Sequence, residues 1–242
     1  ALNILEQQTY IQRNGEVYEY LTDEEKDVEK EIKNTDIDRD DVASELSKLF
    51  FDNIIRNPKI RYGEDGRDYP FSRKLDDKLC GREYELSINV ITPFNDNPDA
   101  FNEHNIKMSS VQRERDLIVY LAQDFRLVED LKLYKKTHKY INENMNSSQQ
   151  ESVKRILADK LTQNAERYNQ IRQKVEEIAS TARFYISGSE IEVGGEHAQT
   201  RIIKAFQELI GRTYINLKML CGYTYKEDEI NSILNNAKNG FF

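Results

Sequence analysis

Residues 149–182 read QQESVKRILADKLTQNAERYNQIRQKVEEIASTA, and the fold turns on how this stretch is read. Its apolar positions are Val153, Ile156, Leu157, Leu161, Ala165, Tyr168, Ile171, Val175, Ile178 and Ala182. They recur in steps of mostly three and four, close to the period of roughly 3.5 residues of a coiled-coil seam. At 1.5 Å per residue such a helix would span about 50 Å. A helix that long with so narrow an apolar stripe requires a partner. The nearest candidate is the helical stretch from Asp124 to Asn142, joined to it by the polar loop ENMNSS. The spacing predicts an antiparallel hairpin, with Phe125, Val128, Leu131, Tyr134 and His138 or Ile141 facing Leu157, Leu161, Tyr168, Ile171 and Val175.

Upstream, residues 5–32 read LEQQTYIQRNGEVYEYLTDEEKDVEKEI and suggest the rear half of a winged-helix module. Asn14-Gly15 is a strong signal for a type I′ hairpin turn, flanked by the β-formers Tyr10, Ile11, Val17, Tyr18 and Tyr20. Thr22-Asp23-Glu24-Glu25 fits a capping box opening a helix to about Lys33, with Val28 and Ile32 inward. Ser148–Glu151 and Thr224–Glu227 repeat that signal. A winged helix needs three helices before its wing, and the chain opens on Ala. We therefore read it as a piece of a larger protein.

Between these regions a helix is expected from Asp40 to Ile55, with Val42, Leu46, Leu49, Phe50 and Ile54 at helical spacing. Turn formers and charges in residues 56–77 predict short strands around Asp65-Gly66. In YELSINVIT, Tyr84–Thr92, alternation of Leu86, Ile88 and Val90 with Glu85, Ser87 and Asn89 predicts a strand with one buried face. Asp116–Leu121 reads as a strand buried on both faces. FYISGSEIEV predicts a hairpin with Gly188-Ser189 in a type II′ turn. A helix follows from about His197 to Leu220, capped by Gly222, and a last one from Lys226 to Ala237 packs Ile230, Ile233 and Leu234. The expectation is an α+β, predominantly helical chain with a winged-helix remnant, a small mixed sheet and a long antiparallel helical hairpin. Its segments would be 1–35, 36–122, 123–182 and 183–242.

Hydrophobic residues are 38% and charged residues 32% of the 242, enough for a core under a strongly solvated surface. The apolar runs are far shorter than the roughly 20 residues of a membrane span. Cys80 and Cys221 are far apart in sequence; they could form one disulfide, but without secretory context free buried thiols are the favoured reading, which suggests a cytoplasmic protein. A net charge of −8 opposes extended nucleic-acid binding, though not a local basic face.

Catalytic signatures do not emerge. There is no phosphate-loop motif and no nucleophile elbow. His104, His138 and His197 lack metal-ligand neighbours at helical spacing, so no metal site is assigned. Gly194-Gly195 before a helix reads as a hairpin exit rather than an anion cradle. Asp76, Asp77, Glu83 and Glu85 faintly suggest a metal-dependent nuclease, but the strand lacks the accompanying Lys. Lys132, Lys135, Lys136 and Lys139, interleaved with Tyr134 and Tyr140, fall on one side of a helix. They form the candidate nucleic-acid contact, weighed against a solvated face flanked by Glu129, Asp130 and Glu143.

In order along the chain, LTDEEKDVEKEI, FFDNIIRNPKIRYGEDGRDYPFSRKLDD, GREYELSINVITP, RDLIVYLAQDFRLVEDLKLYKKTHKYI and FYISGSEIEV resemble the middle of the large ATPases of BREX phage-defence systems, the BrxC/PglY family. The resemblance implies a P-loop ATPase core, with its ATP and Mg²⁺, N-terminal to the matched part. It also implies partners among the other defence proteins. No Walker position exists in these residues, so no catalytic residue is carried over and no cofactor is expected here. The expected role is a non-catalytic scaffold linking that ATPase to partners, DNA or a second copy, with no membrane. A DNA-binding module on the lysine face is the alternative, and a nuclease the remoter one.

Overall fold

The computed structural model describes residues 2–14, 17–63, 66–92, 102–146, 150–216 and 226–238. Its centre is a mixed sheet of β3 (Lys59–Tyr62), β4 (Arg67–Leu75), β6 (Leu86–Ile91), β7 (Asp116–Tyr120), β8 (Arg183–Ile186) and β9 (Ser189–Ile191), in that spatial order. The short β5 (Lys78–Leu79) pairs back on β4. β4, β6 and β7 run parallel, and β3, β8 and β9 join antiparallel. β4 changes partner midway. Its residues 67–70 pair with β3 and 71–75 with β6, and Pro70, which has no N–H to give, stands at the changeover.

β6 is buried on both faces, not one as its alternation predicts. Leu86, Ile88 and Val90 enter the main core. The opposite face is closed by an unpredicted helix, α4 (Glu103–Gln112), whose Ile106 packs with Ile91, Ile118 and Tyr185. On that face Asn89 Nδ2 donates to Asp77 Oδ1 at 2.7 Å, so its amide is buried with a partner. α4 also explains the turn between β8 and β9. Ile186 pairs with Ser189, so the loop is Ser187-Gly188 with φ of 48° and 79°, a type I′ geometry in place of the expected type II′ at Gly188-Ser189. A Cβ at 188 would lie 2.5 Å from Val111 Cγ2, and the Gly188 N–H donates to Ser110 Oγ. Only glycine satisfies both the backbone and the contact with α4.

The main core lies on the other face. α3 (Arg39–Lys48) continues into a π-helical turn, Leu49–Ile55, closed by the Arg56 N–H on Phe51 O. On α-helical spacing Phe51 would fall about half a turn from Val42. The wider turn brings it inward with Leu49, Phe50, Ile54 and Ile55. α7 (Ala198–Thr213) is gripped from both sheet edges. Gln207 reaches Arg61 O in β3, and Lys204 reaches Gly194 O beyond β9. Ile202, Ala205, Phe206, Leu209 and Ile210 are its buried stripe.

The helical hairpin forms from α5 (Phe125–Asn144) and α6 (Glu151–Ser180), but its seam differs from the predicted one. Phe125 is 73% exposed, and the buried residues of α5 are Leu127, Leu131, Thr137 and Ile141, while Tyr134 meets Tyr168 across the hairpin as predicted, ring centroids 4.9 Å apart. In α6 Leu161 is 45% exposed, and the buried line runs Leu157, Lys160, Asn164, Ile171, Val175, Ile178. The steps are three and four except for one of seven from Asn164 to Ile171, and two members, Lys160 and Asn164, are polar. At the N-terminal end, the hairpin β1 (Ile11–Asn14) and β2 (Val17–Tyr20) and the helix α2 (Asp23–Asn34) lie against α5 and α6, and α1 (Leu2–Gln7) packs on β1. Asn14 pairs with Val17, so it ends a strand instead of opening the turn, and residues 15–16 lie outside the described residues. A hairpin and one helix do not by themselves define a winged helix. In α8 (Glu227–Lys238) Ile230, Ile233 and Leu234 are exposed, not packed. The expected Gly222 cap, and the Ser148 and Thr224 ends of two capping boxes, lie outside the described residues.

The revised seam reverses a simple expectation from sequence. Leu157→Ala should cost about 2–5 kcal/mol because its site is fully enclosed. Leu161→Ala should stay within about 1 kcal/mol. Urea melts of the two variants check this, and equal losses would discredit the seam.

Candidate interaction site

α2 is the element that meets the hairpin. Thr22 starts it as the sequence predicts. Its Oγ1 accepts the Glu25 N–H, and Glu25 Oε2 accepts the Thr22 N–H at 2.7 Å. Val28 and Ile32 then enter a small apolar cluster with Ile141 of α5 and Leu157 of α6. Next to Val28 in the same turn, Glu29 faces Lys160. The ammonium donates to Glu29 Oε2 at 2.6 Å and to Gln12 Oε1 of β1. The Lys160 and Glu29 side chains are 7% and 9% exposed. Taking both charges from water is costly, and the pair is tolerable only because each has the other close by.

Beside this pair lies a set of polar contacts. Gln12 Nε2 donates to Gln163 Oε1 at 2.6 Å, Arg13 pairs with Asp130 at 2.9 Å, and Lys33 Nζ donates to Glu6 O at 2.8 Å. Asn164 Nδ2 donates to Tyr134 O, and Asn164 Oδ1 accepts from Arg167 at 3.0 Å. Burial holds the Arg167 guanidinium below its ordinary value, against the opposing pull of Glu29 and Asp130. Burial, with the Glu45 carboxylate, pushes the Tyr134 phenol up to about 12. Arg13, Asp130 and Arg167 also border a cleft of about 600 Å³ between β1 and the two long helices, whose lining includes Asp124, Arg126, Glu129 and Lys174.

The lysines predicted as a phosphate face stand at the other side of α2. Lys136 Nζ donates to Lys33 O at 2.6 Å and Lys139 Nζ to Asp36 O at 2.8 Å. Lys136 thus bonds a carbonyl in the last turn of α2, where a cation also suits the helix dipole, and Lys139 bonds one just beyond the helix end. Lys135 pairs with Glu45 of α3 at 3.5 Å, and Lys132 is exposed. Sequence reasoning found the cluster but not the acceptors, which come from a different segment.

The acidic residues considered for a nuclease do not converge. Glu83 and Glu85 precede β6 and are exposed, and Glu85 pairs with Arg115 at 2.9 Å. Asp76 accepts from the N–H and hydroxyl of Thr92, and Asp77 from Asn89 and Arg113. Among the described residues no three His, Cys, Asp or Glu side chains are grouped to hold a metal. His104, His138 and His197 are exposed and Cys80 is half-buried, while Cys221 lies outside the described residues. Around Gly194-Gly195 the carbonyls of Val193 and Gly194 accept from Arg201 and Lys204, the reverse of an anion cradle. No helix of the described residues is long and apolar enough to cross a membrane.

Residues 35–209 match the family described as the BREX ATP-binding protein BrxC 4th domain with six-stranded beta sheet. The chain belongs to the BrxC family of BREX proteins. It is thus part of a phage-defence protein, and the match lies downstream of the ATPase core of that family. The six strands from β3 through β9, β5 aside, all fall inside the match, as does the helical hairpin. No solved structure matches the chain. The match begins one residue after α2 ends at Asn34. The Lys160–Glu29 pair therefore joins the fourth domain to the residues before it.

Removing one partner of that pair strands the other charge. Glu29→Leu or Lys160→Met alone should each cost about 3–5 kcal/mol, while the double variant recovers most of the loss. A double-mutant cycle by chemical denaturation measures this; additive losses would show that the two side chains do not interact.

Proposed function

We propose that this domain is a non-catalytic scaffold of a BREX ATPase, coupling the part of the protein before residue 35 to partners from the same defence system. The observation that supports this reading is the seating of α2. It lies against both long helices through Val28 and Ile32, is tied to α6 by Glu29, and has Lys33 O in its last turn held by Lys136 of α5, with Lys139 on Asp36 O just beyond it. Apolar burial on one side and lysine bonds on the other leave α2 little freedom relative to the hairpin. A movement imposed on α2 is then carried into α5 and α6, and through them to the sheet.

The test uses the full-length protein within its defence system. Val28→Ala/Ile32→Ala removes the apolar seat of α2 and leaves the sheet core untouched. The expected outcome is loss of protection against phage plating, with ATP turnover of the isolated protein retained. Full protection, or a parallel loss of ATP turnover, would sink the coupling role.

A further inference from the structure

Residues 2–34 are held to the rest of the chain by two chemically different contacts. α2 is held by apolar burial, together with the buried Glu29–Lys160 pair and Lys136 on its last turn. The layer before it, α1 with β1 and β2, is held by polar groups: Gln12 on Gln163 and Lys160, Arg13 on Asp130, and Glu6 O on Lys33. Ile11 is the one buried hydrophobic residue of this layer among the described residues, and it belongs to neither apolar cluster of the hairpin. Leu2, Ile4, Val17 and Tyr20 are exposed. A two-stranded hairpin is not stable alone, so the placement of this layer rests on those polar contacts. Such contacts exchange for water at small net cost, whereas apolar burial does not.

Lys160 is arranged for both situations. Its ammonium has one acceptor from each part, Gln12 on β1 and Glu29 on α2. If the layer departs and α2 stays, Glu29 still neutralises the charge and nothing ionic is left buried alone. Arg13 and Asp130, already partly exposed, would simply be solvated. The short connection Leu21–Thr22 between β2 and α2 supplies the pivot, with Thr22 extended in front of its helix.

We propose that α1 and the β1–β2 hairpin form a cover that opens off α5 and α6 about Leu21–Thr22 while α2 remains seated, baring the cleft that holds Arg167. This device does not depend on the coupling role, since it concerns only the residues before α2. Amide exchange of the full chain with and without Asp130→Asn tests it. Amides of β1 and β2 should exchange about tenfold faster in the variant, the size of effect expected for losing one charged hydrogen bond, and those around Val28–Ile32 should not change. A second arm separates opening of the cover from fraying of its own strands. In a background with both cysteines replaced by Ser, a thiol from Gln163→Cys should react faster when Asp130→Asn is added, and one from Leu157→Cys should not. Acceleration at both positions would mean that cover and α2 move as one body, and acceleration at neither would mean a fixed cover; either result overturns the proposal.

Discussion

A helix of thirty residues is longer than the sheet it packs on, and that mismatch governs how the chain is put together. α6 extends about 45 Å. Its C-terminal half, with Ile171, Val175, Ile178 and Ala179, belongs to the core over the sheet. Its N-terminal half projects beyond it, where Leu157 needs other cover. α5 supplies part of this through Ile141, and α2 supplies the rest. The segment before the matched family domain is thus drawn into its tertiary structure by the overhang of one helix.

The character of the seam changes where the cover changes. Over the sheet it is apolar. At Lys160 and Asn164 it becomes polar, because the surfaces that approach there carry Glu29, Gln12 and Tyr134 O. An apolar residue at 160 would leave Glu29 buried without its cation. A buried ion pair of this kind contributes less to stability than a well-packed apolar pair of the same volume. Its effect is on register, since only one placement of α2 brings Glu29 to Lys160 while seating Val28 and Ile32.

On its far face the sheet is closed economically. One α4 side chain, Ile106, packs with Ile91, Ile118 and Tyr185, while Ser110 holds the β8–β9 turn. A helix with so little to bury leaves almost no periodic signal, which is why EHNIKMSSVQ was not legible as a covering helix and why β6 looked half-exposed. The opposite error arose in α8, whose Ile230, Ile233 and Leu234 show a clear stripe yet are exposed. Periodicity reports that a face is apolar, not that something covers it.

The amino-acid order alone determined the elements that rest on local chemistry: the capping box at Thr22, the hairpin of α5 and α6, the apolar run of β7, and the inner face of α7. Tertiary structure decided which of two overlapping stripes on α6 faces inward. Steps of three and four from Leu157 reach either Leu161 or Lys160, and hydrophobicity favours the leucine. The partners that select the lysine, Glu29 and Gln12, lie 131 and 148 residues away in the chain. A lysine has an apolar stem and a charged tip, so its fate is set by what meets the tip. The same reason hid the role of Lys136 and Lys139, whose acceptors are backbone carbonyls that only the folded chain brings within reach.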